Sequence, residues 1–328
     1  MILAAPGVLV SAAIVAVVLH LATGLALDLA FVVGAIVSAT DPVAVVATFR
    51  RLRSPARLAT LVEAESLFND GTAIVVFTIA LRAIAGEVGP LDAFVAFVST
   101  VIVSAAVGAG AGLLASWVIA RVDDHLIELT ISLVLAYGTY LIADEIRQSG
   151  IIATVVAGVV LGSYGRELGM SRRTQDALDI VWEFLAFILN ALVFLLIGLA
   201  TTVRDLGGAF PAIAWGVVAI LAGRAVVVYL LLGIPARLAH TSSGAPAIPL
   251  PWLHVMFWSG LRGAVAVALA LSLPFDFPQR SLVQGAVFGI VLFTLLVQGT
   301  TAGIVIRRTG VHDASGPTPP VRASSREM

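Results

Sequence analysis

The sequence has no cysteine and no lysine, and only 12% of its 328 residues are charged. Without cysteine, disulfides and thiolate metal or redox sites are excluded. All 19 basic residues are arginine. The five histidines (His20, His125, His240, His254, His312) show no metal-ligand spacing, and no catalytic motif occurs. Soluble domains carry about 25% charged residues. Here 59% of the residues are hydrophobic and the mean hydropathy is +1.05, so the chain is an integral membrane protein and not a soluble enzyme. The net charge of −1 says nothing about partners, and no nucleic-acid partner is expected. A basic region ahead of the first apolar run is also lacking. Met1 leads straight into Ile2-Leu3-Ala4-Ala5-Pro6, which reads as the start of a spanning helix rather than a signal peptide.

What is abundant is apolar sequence. Ten segments stand out, at about 2–22, 28–50, 58–85, 92–120, 126–144, 150–163, 178–202, 209–236, 252–273 and 282–306. A spanning helix needs about 20 apolar residues. The sixth segment is shorter than that, and arginine placement decides its topology. If all ten span, one side holds Arg50, Arg51, Arg53, Arg57, Arg121, Arg166, Arg172, Arg173, Arg237, Arg307 and Arg308. The other side holds Arg82, Arg147, Arg204 and Arg280. Excess arginine marks the cytoplasmic side, so both termini are expected there, in the cell membrane. A non-spanning sixth segment would destroy this bias. The loop 241–251, rich in Pro and Gly, reads as a flexible connection, and 309–328 as a disordered cytoplasmic tail.

Residues 63–71, Glu-Ala-Glu-Ser-Leu-Phe-Asn-Asp-Gly, interrupt the third segment with polar groups. Asp70 lies thirteen residues past Arg57, roughly 20 Å along a helix and so near mid-membrane. An ionised side chain there costs about 3 kcal/mol by insertion scales, and such an acid reads by default as an ion or proton site. At 100° per residue, Glu65, Asn69, Ser66 and Asp70 fall at roughly 0°, 40°, 100° and 140°, on one side of the helix. The plain alternative is a polar seam that joins two helices.

Two other segments are broken. The second contains Ser38-Ala39-Thr40-Asp41-Pro42, where proline removes a helix donor and clashes with the preceding turn. The ninth contains Ser259-Gly260-Leu261-Arg262-Gly263, where two glycines flank an arginine at membrane depth. The two run in opposite directions, one in each half, which is the signature of an inverted-repeat transporter. Asp41, at the start of its second half-helix, suits the positive end of that helix, and Arg262 suits the carbonyl ends of the crossing partner. Arg224, midway along the eighth segment, cannot deprotonate and needs an anion or carbonyls around it. Glu65, at comparable depth, is the natural partner.

With these residues the chain resembles the monovalent cation:proton antiporters of the sodium/proton exchanger family, and within it the bacterial NhaP-like branch. The motifs that carry the resemblance are Ala39-Thr40-Asp41-Pro42-Val43-Ala44-Val45, Glu65-Ser66-Leu67-Phe68-Asn69-Asp70-Gly71, Gly223-Arg224-Ala225 and Gly260-Leu261-Arg262-Gly263-Ala264-Val265. It covers residues 1 to about 308. The resemblance implies that Asp70 binds cation or proton, with Thr40 (through its carbonyl), Asp41 and Ser66 as further ligands of the monovalent ion. It implies that Asn69 marks the electroneutral branch and that Glu65 and Arg224 form a stabilising ion pair. Electrogenic relatives use an intramembrane lysine, which this chain lacks. The family usually has twelve or thirteen spanning helices, so about three amino-terminal helices are expected to be missing. In the family those helices help build the dimer-contact domain and can supply a further acidic group.

The expected fold is therefore an all-α membrane protein of about ten transmembrane helices, an inverted-repeat antiporter with two crossed interrupted helices. Residues 1–308 form the exchanger domain, with core helices in 1–86 and 209–308 and scaffold or dimer helices in 92–204. The expected function is antiport of Na+ (or K+ or Li+) for protons, electroneutral, with no cofactor, in a homodimer within the lipid bilayer. Removing a carboxylate from water disfavours its charged form. A proton and a dehydrated cation would then compete for Asp70, and competition at one site couples the two fluxes. The rival readings are a transport-inactive truncated subunit and a cation channel. A channel needs a continuous polar pore, whereas the polar groups here cluster at one depth.

Overall fold

The computed structural model describes residues 4–86, 89–122, 124–168, 170–200, 203–236 and 248–311, and these are almost wholly helical. Helix α1 (Ala4–Thr23) turns into α2 (Leu27–Ser38) at Gly24, whose φ of +72° only glycine adopts freely. After a non-helical gap come α3 (Val43–Leu52) and α4 (Ala56–Ile84). Four helices follow: α5 (Pro90–Ile119), α6 (His125–Glu145), α7 (Gly150–Val160) and α8 (Arg172–Ala200). The short α9 (Val203–Gly208) leads to α10 (Phe210–Ala225). A second broken pair, α11 (Leu250–Trp258) and α12 (Ala264–Leu271), precedes α13 (Arg280–Phe293).

Three helices continue through π-helical stretches. α7 runs on through Leu161–Gly165 and Arg166–Leu168, α10 through Val226–Gly233, and α13 through Thr294–Gly299 and Thr300–Arg308. Eight helical runs among the described residues are long and apolar enough to cross a membrane. The sixth segment, a helix of 11 residues with extensions of 5 and 3, reaches roughly 28 Å and makes a ninth. The α11/α12 pair completes the ten.

Residues 309–311, expected in the tail, instead cap the last helix. Gly310 N–H donates to Arg307 O and Val311 N–H to Ile306 O, with Gly310 at φ +69°. This left-handed cap closes the last helix. Ser54 Oγ also bonds the buried Val311 carbonyl at 2.9 Å. The remainder of the expected tail, from 312, and the connection at 241–247 lie outside the described residues.

Burial separates the helices. In the run Leu27–Leu52, 72% of the apolar window is inside the protein, against 11% for the α5 run and 6% for the α8 run. The reason is the gap after Ser38: non-helical backbone at membrane depth is tolerated only where protein covers it. One apolar cluster joins Leu19 of α1, Val33 and Ile36 of α2, Val76 of α4, Ile220 of α10 and Ile290 of α13. A second joins Phe49 of α3, Leu58 of α4, Met256 of α11 and Ile306 at the end of the chain's last helix. A third is confined to α5–α8 and the turn before α8, with Ile119, Leu135, Ala157 and Leu178. The outer faces of α5 and α8 expose Phe94, Phe184 and Phe187, as suits lipid contact.

The first three segments (α1, α2/α3, α4) and the last three (α10, α11/α12, α13) each place a broken helix in the middle. The two breaks meet: Asp41 N–H donates to Leu261 O at 2.9 Å. This is the crossed, inverted-repeat arrangement expected from the sequence.

Candidate ion-binding site

The break in α2/α3 frees backbone donors that would otherwise be lost inside the helix. Pro42 has none to satisfy. Thr40 N–H donates to Asp70 Oδ1 at 3.1 Å, Asp41 N–H to Leu261 O, and Val43 N–H to Asp41 Oδ1 at 3.0 Å. Each donor from 40 to 43 is therefore accounted for, two of them by carboxylates. On the acceptor side, Ser66 Oγ donates to the Thr40 carbonyl. The Thr40 hydroxyl donates to Ser66 Oγ at 3.1 Å and accepts from Asn69 Nδ2 at 3.1 Å. Ser66 and Asn69 are buried, so α4 holds the strand-like segment 39–42 through three side chains one turn apart.

A cavity of about 190 Å³ lies against this segment, lined by Thr40, Asp41, Asp70, Gly263 and Asn190 among others. It has room for a cation with a few waters, each of which takes about 30 Å³. Asp70, Asp41 and Thr40 are thus brought together at the cavity. Ser66 and Asn69 are absent from its lining and are turned to Thr40 instead.

Asn190 was not singled out from the sequence. It is the one polar side chain in the run 184–200 of α8, and that isolation was the available signal. Val193 and Phe194, on the next turn, pack against the main apolar cluster, so Asn190 sits where α8 meets the broken helices.

The second break is held by charge. Arg224 is 6% exposed and pairs with Glu65 through both carboxylate oxygens, its Nη2 reaching Oε2 at 3.0 Å. The same guanidinium donates to the Met256 carbonyl from Nε at 3.2 Å and from Nη2 at 2.8 Å. That carbonyl belongs to the last turn of α11, whose helix stops at Trp258. Arg224 therefore satisfies the carbonyl end of the first half-helix as well as its acid partner. The π-helical stretch follows directly, at Val226.

Arg262 behaves differently from its expected role. It is 2% exposed, yet its Nε and Nη1 have no hydrogen-bond partner among the described residues. It caps no carbonyl of the crossing helix. Its backbone N–H is taken by Thr294 Oγ1 at 3.0 Å, and Arg224 already occupies the nearer carbonyl end. Both glycines of the break admit close neighbours. A Cβ at Gly260 would lie 2.9 Å from Arg224 Nε, and one at Gly263 would overlap the Asp41 carboxylate.

A family model described as "Sodium/hydrogen exchanger, transmembrane" matches residues 1–308. The chain is 40% identical over 314 residues to the Na(+)/H(+) antiporter ApNhaP of Aphanothece halophytica, covering 94% of this chain and 59% of that protein. It is 37% identical over 314 residues to the Na(+)/H(+) antiporter NhaH of Halobacillus dabanensis, covering 94% and 75%. The low-affinity Na(+)/H(+) antiporter NhaS1 of Synechocystis is matched at 40% over 54% of its length, so the chain spans little more than half of some relatives. Among solved structures, the sodium proton antiporter MjNhaP1 of Methanocaldococcus jannaschii superposes with a TM-score of 0.72 at 19% identity. That superposition covers 92% of this chain and 76% of the other.

Proposed function

Because the chain belongs to the sodium/hydrogen exchanger transmembrane family, we propose that it exchanges a monovalent cation, Na+ first among them, for protons across the cell membrane. The observation that carries this reading is the single small cavity that joins Asp70, Asp41 and Thr40 at the crossing of two broken helices. A carboxyl group at membrane depth binds either a proton or a partly dehydrated cation, since desolvation disfavours its bare charge. Asp70 receives one backbone N–H from Thr40 and faces the cavity. Asp41 and oxygens on Thr40 complete an oxygen-rich site of the kind hard cations favour.

Because both substrates compete for Asp70, only a loaded site crosses, and exchange is obligatory. The cores 1–86 and 209–308 would move against the helices of 92–204, a division supported by the third apolar cluster, which is confined to α5–α8 and the turn before α8. Asn69 places a neutral carboxamide beside Asp70, which supports one cation per proton. K+ and Li+ are alternative substrates, and a homodimer with both termini cytoplasmic is part of the same proposal. The test is dissipation of an imposed pH gradient on cation addition, in proteoliposomes of the purified chain. Dissipation that requires Asp70 supports the reading, and a pH gradient untouched by Na+, K+ or Li+ overturns it.

A further inference from the structure

A second cavity, of about 410 Å³, lies between α4 and the helices α5–α7, away from the ion site. Its charged groups gather at one membrane surface. Arg82 is near the end of α4, Asp144 near the end of α6, and Arg147 and Gln148 are in the turn that follows. Ile74, eight residues before Arg82, also lines it, so it descends roughly 12 Å along α4. The walls below the rim are Val75, Ile79 and Ala96, with the hydroxyls of Thr78 and Thr100 among them. It is therefore charged at headgroup level and mostly apolar beneath.

Among the described residues the ion pairs are Arg166–Asp179 and Arg224–Glu65, so within that set neither Arg82 nor Arg147 meets an acid and Asp144 meets no base. The Gln148 Oε1 atom is buried without a hydrogen-bond partner. Arg147 stands at φ +57°, where glycine is the usual choice because a side chain there is costly. Strain kept at such a position points to a task for the side chain.

We propose that this cavity binds a phospholipid whose headgroup joins a phosphodiester to a primary ammonium, namely phosphatidylethanolamine. Two guanidiniums suit a phosphate, which they contact with several N–H groups at once. Asp144 and Gln148 Oε1 are acceptors, matched to the three N–H donors of a primary ammonium. A choline headgroup has no N–H to give them, and a glycerol headgroup has no cation for Asp144. The glycerol backbone and upper acyl chains lie against Ile74, Val75 and Ile79. The inference requires only that the chain spans a bilayer, and it is independent of what the ion site transports. One lipid here would touch both α4, which carries Asp70, and the helices α5–α7, which share an apolar cluster of their own.

The experiment is native mass spectrometry of the detergent-purified full chain with phosphatidylethanolamine, phosphatidylcholine or phosphatidylglycerol of identical acyl chains. One phosphatidylethanolamine per chain should survive activation energies that strip the other two. The double change R82Q and R147Q, and separately Asp144→Asn, should reduce that adduct to the phosphatidylcholine level. If those variants are poorly folded, Ala96→Leu, which fills the apolar end, should displace the lipid on its own. Equal retention of ethanolamine and choline lipids overturns the proposal. So does retention of the preference in a folded Asp144→Asn chain. Free phosphoethanolamine binding as firmly as the lipid would show a polar solute site and overturn it too.

Discussion

The Asp41 carboxylate fills the space that a side chain at Gly263 would need. The Asp41 side chain can approach the crossing backbone this closely only because residue 263 has no Cβ. Asp41 is held by Val43 N–H and lines the cavity, so a Cβ at residue 263 would break that bond or push the carboxylate into the ion site. Gly263→Ala should therefore cut exchange at least tenfold. Overpacking of this kind costs about 1–3 kcal/mol, so the protein should still insert and purify. Parallel measurement of transport rate and melting temperature checks this, and a variant with wild-type exchange would show that the crossing has slack.

Asp70→Asn should abolish cation-driven pH-gradient dissipation to the level of empty liposomes while leaving expression near wild type. The carboxamide keeps the acceptor oxygen that Thr40 N–H uses, so the local fold is preserved. What it loses is the proton and the charge. Normal exchange by this variant would remove Asp70 from the mechanism.

Glu65 and Arg224 form a bidentate pair that also serves the Met256 carbonyl. Removing one partner of a buried pair costs about 3–5 kcal/mol, because the other is left uncompensated. Each alanine change should lower yield and melting temperature sharply. The double change should lose clearly less than the sum of the two, a departure that a double-mutant cycle reads directly. Glu65→Ala should be the harsher for transport, since Arg224 then retains only the Met256 carbonyl.

Asn190 supplies the cavity's one polar side chain from α8, outside both broken-helix units. Asn190→Leu should raise the half-saturating Na+ concentration several-fold with a smaller change in maximal rate. Asn190→Gln should restore part of the affinity. A loss of maximal rate at unchanged affinity would instead mark Asn190 as a packing residue.

The sequence made the ten membrane elements and both breaks legible, for local reasons. Pro42 cannot continue a helix, Gly260 and Gly263 weaken one, and apolar runs of twenty residues have few other uses. What it left hidden depends on three-dimensional register. Ser66 and Asn69 share a helix side with Asp70, yet they bond Thr40 rather than line the cavity, because segment 39–42 lies across them. The two glycines read as helix weakeners, and their spatial role towards Asp41 and Arg224 appears only once the helices cross. The Met256 carbonyl, a backbone atom, leaves no trace in side-chain chemistry. The last helix ends at Arg308, and the left-handed cap at Gly310 that orders Thr309–Val311 against it is disguised by a composition rich in Gly and Pro.

Asn69 donates from Nδ2 to Thr40 Oγ1, which a carboxylate at that position could not do. The cavity then has two acids, Asp70 and Asp41. Asp41 already accepts the Val43 N–H at the start of α3, where a negative charge opposes the positive end of the helix. Releasing that charge by protonation in each cycle would loosen the break that shapes the site. One proton on Asp70 is therefore expected to exchange for one cation, so the membrane potential, about 2.3 kcal/mol per charge per 100 mV, does no work. Exchange rates should be equal with and without an imposed potassium-diffusion potential. Competition adds a pH signature: each tenfold rise in proton concentration on the cation-loading side should raise the apparent Na+ KM, up to tenfold, at constant maximal rate. Solid-supported membrane recordings give the decisive contrast. A transient current on a Na+ jump that reverses with the gradient, and disappears in Asp41→Asn, would mean that Asp41 also carries a proton and that two protons move per cation.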